Sequence, residues 1–84
     1  MSAFRINERT WDHIASVARA EVRRLRRPLS LADAERAVSE WAHAQHESRG
    51  VDMPSIGQMK SAVNIAANEA ANYATLSARL GKWA

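Results

Sequence analysis

The chain has no cysteine, which excludes disulfides and thiolate metal sites and fits a reducing compartment. Only three glycines and two prolines, with no low-complexity tract or internal repeat, leave no room for a flexible linker. Aromatics are few, so Trp11, Trp41, Tyr73 and Trp83 are expected to supply the large core pieces. No apolar run approaches the roughly 18–20 residues that span a bilayer. The opening segment MSAFRINER carries no hydrophobic signal core, so a cytoplasmic protein with no membrane partner is expected.

Reactive constellations are missing as well. There is no Gly-x-Ser-x-Gly, no phosphate-cradling glycine loop and no plausible triad. His43-Ala-Gln-His46-Glu47, with Glu40 one turn earlier, is the single cluster with metal-like spacing. It matches neither His-Glu-x-x-His nor its inverse, and a di-metal bundle would need a second Glu-x-x-His. The expectation is therefore a protein with no catalytic residues, no metal, no cofactor and no enzymatic activity.

What is present is helix-forming sequence. The length of 84 residues suits one domain with a modest core. The stretch Ser55–Leu80 reads as one long helix. Ser55 and Gln58 have the spacing of a capping box, and Gly81 follows where a left-handed stop would fall. Its apolar stripe of Ile56, Met59, Val63, Ala66, Ala67, Ala70, Tyr73, Ala74 and Leu80 is mostly alanine, which lets a neighbouring helix approach closely.

Earlier in the chain, a helix is expected over about 8–27, capped by Asn7 or Thr10 and stopped by Pro28. Trp11, Ile14, Ala15, Ala18, Val22 and Leu25 form its stripe. A second helix spans 31–49, from the cap Ser30 with Asp33 to Gly50, with Leu31, Ala34, Val38, Trp41, Ala42 and Gln45 inward. The third covers 56–80. Short connections between three helices argue for an all-α, compact three-helix bundle. Residues 1–6 read as an extended tail laid over that bundle, with a short strand as the alternative.

Two surfaces stand out. Residues 1–29 hold seven arginines against Glu8, Asp12 and Glu21, a balance of +4, whereas residues 30–53 carry −3. Arg19, Arg23, Arg24, Arg26 and Arg27 place five of these cations within nine residues, more than a helix C-terminus needs. They could pair with the acidic second helix, meet nucleic acid or meet an acidic protein. On the third helix, Asn64, Asn68 and Asn72 recur at four-residue spacing beside Ser61, Thr75 and Arg79, bordered by Ile65 and Leu76. Asparagine costs a helix up to about 0.7 kcal/mol relative to alanine, so this strip is either a tolerated polar surface or an interface read through uncharged hydrogen bonds.

The helices are long for a helix-turn-helix motif. If DNA were bound, Lys60, Ser61, Asn64, Asn68 and Arg79 would be the reading set, since Asn pairs bidentately with adenine.

With its stand-alone length, lack of cysteine and two unusual surfaces, Arg19–Arg27 and Asn64–Arg79, the chain resembles in profile the small accessory proteins of phages and mobile elements, among them the anti-CRISPR inhibitors. Many of those are acidic nucleic-acid mimics, and the net charge of +3 departs from that pattern. The resemblance implies steric blocking of a CRISPR surveillance complex, a protein or ribonucleoprotein partner, in a bacterial or infected-host cytoplasm. It carries over no functional residue. A small DNA-binding regulator, dimeric through the third helix, is the alternative expectation, so monomer and homodimer both stay open.

Overall fold

Each helix begins where a side chain can satisfy its first free N–H groups. In the computed structural model, which describes residues 2–81, α1 spans Glu8–Leu25, α2 spans Leu31–Arg49 and α3 spans Ile56–Leu80. Asn7 caps α1, its Oδ1 accepting from Thr10 N at 3.0 Å, which settles the choice between Asn7 and Thr10. Ser30 and Asp33 form a reciprocal capping box on α2, and Ser55 and Gln58 form another on α3. Gly50 and Gly81 close α2 and α3 in the left-handed region, at φ 65° and 69°.

The first helix ends earlier than its sequence suggests. Arg26, expected inside the helix, turns left-handed at φ 55° and donates its N–H to Val22 O at 2.8 Å. Pro28 bars Arg27 from helical geometry, and the chain reverses one residue sooner still. Arg26 and Arg27 therefore belong to the α1–α2 corner.

Two contacts in equal steps set the direction of α1 against α3. Arg19 pairs with Glu69, and Arg23 lies over Tyr73. The two helices thus run parallel. Between them α2 runs the other way, since Asp33 meets Arg27, Arg36 meets Glu21 and Trp41 meets His13. The result is an up-down-up three-helix bundle measuring 43 × 23 × 22 Å.

Ile14, Ala18 and Val22 of α1, Ala34 and Val38 of α2, and Ala62, Val63, Ala66, Ala70 and Ala74 of α3 form the core. The alanine stripe is thus the buried side of α3. Leu29, Trp41, Met59, Ile65, Ala67 and Tyr73 pack around this centre.

Several residues assigned inward by helical period are exposed instead: Trp11, Leu31, Ile56 and Leu80. All four sit in a first or last turn. Periodicity gives the angle around a helix, whereas burial also requires a neighbour at that height. Trp83 lies outside the described residues.

Phe4 takes up part of the aromatic role expected of Trp11. It is buried, and its ring meets Trp41 edge-on at 6.0 Å. Its carbonyl accepts from Gln58 Nε2 at 2.8 Å. Ser2 forms an isolated parallel bridge with Val51, donating to Gly50 O at 3.2 Å and accepting from Asp52 N at 2.7 Å. Residues 2–6 are thus an extended arm pinned across the bundle.

Candidate functional site

The arginine cluster does not present one free basic face. Arg19 Nη1 donates to Glu69 Oε1 at 2.7 Å, and its Nη2 reaches Ser16 Oγ at 3.3 Å. Arg24 forks onto Glu21 at 2.7 and 3.0 Å, and Arg36 adds a third donor to the same carboxylate at 3.1 Å. Arg27 donates to Asp33 Oδ2 at 2.6 Å and to Pro28 O at 3.1 Å.

The carboxyls register these cations. The Arg24 hydrogen bond lowers the Glu21 pKa despite opposing desolvation, and Arg36 adds to the effect. The Arg27 guanidinium, helped by the Ser30 N–H, holds Asp33 well below the usual carboxylate range. In return, Glu21 and Asp33 raise the pKa values of Arg24 and Arg27.

Three of the five arginines therefore serve the fold. Of the others, Arg23 lies over the Tyr73 ring with its guanidinium carbon 5.9 Å from the centroid, and Arg26 forms the left-handed stop of α1. The four-residue register of Arg19, Arg23 and Arg27 is broken, because Arg27 stands beyond the end of the helix.

The asparagine strip is brought together. Asn64, Asn68 and Asn72 are exposed on the side of α3 opposite Ala62, Ala66, Ala70 and Ala74, as the 3.6-residue period requires. Their amides have no hydrogen-bond partner among the described residues. Thr75 differs, donating its hydroxyl to Ala71 O at 2.9 Å. Arg79 closes the strip in the last turn and is also exposed. Glu69, the one acid of α3, is turned aside to Arg19, leaving Lys60 and Arg79 as the charges bordering this surface.

Asn64 also stands on the lip of a groove between α2 and α3 with a volume of about 430 Å³. Leu31, Met59 and Val63 give it an apolar lining, while Glu35, Ser39 and Lys60 supply polar edges. Ile56, Leu76 and Leu80 are further exposed apolar residues of the same helix. The sequence stripes assign Leu31 and Met59 to the core, and only their position near helix starts hints at the groove.

The histidines are occupied locally. His43 Nδ1 lies 2.8 Å from Ser39 O, and His46 Nδ1 lies 2.8 Å from Val51 O. Among the described residues no group of three or more His, Asp or Glu could hold a metal, and no helix is long and apolar enough to cross a membrane. No protein-family model, curated protein or solved structure matches the chain.

Proposed function

We propose that this chain is a non-enzymatic binding module that acts by occupying the surface of a protein partner through the outer side of α3. One observation carries this reading: three unpartnered asparagine amides beside an apolar groove, on a helix side with almost no charge. Protein interfaces combine apolar anchors with neutral hydrogen-bonding groups and are depleted of charge at their centres. A nucleic-acid surface needs several cations, because phosphate neutralisation supplies most of the affinity. Lys60 and Arg79 are too few for that, and Arg19, Arg24 and Arg27 are already spent on carboxylates.

The finer form of the proposal is an inhibitor that blocks its target sterically, as the anti-CRISPR proteins it resembles in profile do. A protein component of a ribonucleoprotein complex would suit the uncharged strip. A DNA-binding regulator would have to rely on arginines with no carboxylate partner among the described residues, Arg23 and Arg26 of the cluster and Arg5, Arg9 and Arg49 towards the other end of the bundle.

A photo-crosslinking residue at Asn68, compared with one at Glu47 on α2, tests the reading. The expected result is a protein adduct from host lysate at position 68 and none at 47. Equal labelling at both positions would remove the α3 surface from the account. Duplex DNA affinity falling steeply with salt would favour the regulator instead, and adducts of the chain with itself would assign the face to a homodimer.

A further inference from the structure

Three further arginines without a carboxylate partner among the described residues gather at the end of the bundle away from the α1–α2 corner. A cleft of about 270 Å³ lies between the N-terminal arm, the start of α1 and the end of α2. Arg5 from the arm, Arg9 from the first turn of α1 and Arg49 from the last turn of α2 all line it. None of the three has an ion pair or hydrogen bond among the described residues, in contrast to Arg19, Arg24, Arg27 and Arg36. No carboxylate lines the cleft among the described residues.

Helix dipoles explain only part of this placement. Arg49 sits at a helix C-terminus, where a cation is favoured. Arg9 sits at a helix N-terminus, where it is disfavoured. Three unneutralised guanidinium groups around one cavity repel one another and would be relieved by an anion.

The cleft also has an aromatic wall. Trp41 stands between Phe4, edge-on at 6.0 Å and 74°, and His13, edge-on at 6.4 Å and 76°. The arm that carries Arg5 is anchored just ahead of it, by the Ser2 bridge and by the Phe4–Gln58 hydrogen bond. Asn7 adds amide donors, because its Oδ1 is already taken by Thr10. The volume is near the lower bound of small-molecule sites, about 300 Å³, which suits a single nucleotide unit.

The geometry points to a binding site for a nucleoside monophosphate unit, its phosphate held by Arg5, Arg9 and Arg49 and its base against the Phe4–Trp41–His13 wall. Arginine forks match phosphate oxygens, and planar bases pack on aromatic and imidazole rings. The unit could be a free nucleotide or the 5′-phosphorylated end of a strand, which present the same chemistry. This site is separate from the α3 surface, so either reading can fail without the other.

Calorimetric titration of the full chain with AMP, adenosine, inorganic phosphate and a short oligonucleotide with and without a 5′-phosphate tests the site. Trp41 indole N–H shifts in NMR spectra would locate the binding. AMP should bind more tightly than adenosine or phosphate and shift the Trp41 resonance. Arg9→Ala and Arg49→Ala should each weaken it about tenfold, with the circular dichroism spectrum unchanged. Tighter binding of the phosphorylated oligonucleotide than of AMP would assign the source to a strand end. Inorganic phosphate binding as tightly as AMP would overturn the role of the ring wall. Absence of binding, insensitivity to the arginine substitutions, or equal affinity for the unphosphorylated strand would overturn the site.

Discussion

Arg27 Nη1 and Asp33 Oδ2 lie 2.6 Å apart across the α1–α2 corner. Asp33 Oδ2 also accepts the Ser30 N–H at 3.0 Å, so one carboxylate both closes the corner and caps α2. Arg36 approaches its other oxygen at 3.7 Å.

This relationship makes stability depend on pH. Asp33 and Glu21 both have folded pKa values below their ordinary values of 3.8 and 4.5. Below about pH 4.5 the unfolded chain therefore binds more protons than the folded one, and stability is lost as pH falls through that window towards the folded values. It should be fully present above it. Urea midpoints at pH 6 and pH 3 measure the effect, and Asp33→Asn should lower the midpoint at pH 6 while shrinking the difference between the two. An unchanged difference would place the acid sensitivity elsewhere.

Arg26 carries backbone strain. It is the one non-glycine residue with positive φ among the described residues, and a left-handed conformation costs such a residue roughly 1–2 kcal/mol. Arg26→Gly should therefore raise unfolding free energy by about 1 kcal/mol. Denaturant unfolding reads this directly, and a loss of stability would mean that the arginine side chain contributes more than the strain removes.

The α3 stripe should tolerate no added volume. Ala66 and Ala70 are each 1% exposed between helices. Ala70→Leu should cost about 1–3 kcal/mol through overpacking, whereas Asn68→Leu, on the opposite side, should leave the melting temperature nearly unchanged. Equal effects would show that the helix is rotated from this placement.

Phe4 should matter more than the surface ion pairs. Its truncation to alanine is expected to cost about 3 kcal/mol, against roughly 0.2–1 kcal/mol for a half-exposed pair such as Arg19–Glu69. Hydrogen exchange at the Ser2 and Asp52 amides should quicken in Phe4→Ala, since the arm is held through both. Unchanged protection would show that the Ser2–Val51 bridge holds without the ring.

The fold was legible wherever its determinants are local. Ser30 with Asp33, Ser55 with Gln58, Gly50 and Gly81 act within a few residues of themselves, and they set the bounds of α2 and α3 as the sequence predicts. What escaped depends on distant residues. Phe4 is buried through Trp41 and through Gln58, which is 54 positions away. Arg19 loses its freedom to Glu69, 50 positions away. The asparagine strip was legible because it follows from helical period alone. The groove beside it was not, because it depends on how α2 lies against α3. Arg5, Arg9 and Arg49 come from separate segments, and no spacing rule groups them.

The most direct test of the account is the affinity of the partner captured at position 68 for wild-type chain and for Asn64→Leu/Asn68→Leu, with folding checked by thermal melting. The account predicts at least about a tenfold loss of affinity, about 1.4 kcal/mol, at an unchanged melting temperature. Undiminished affinity in the double variant would contradict the assignment of the α3 outer side as the binding surface.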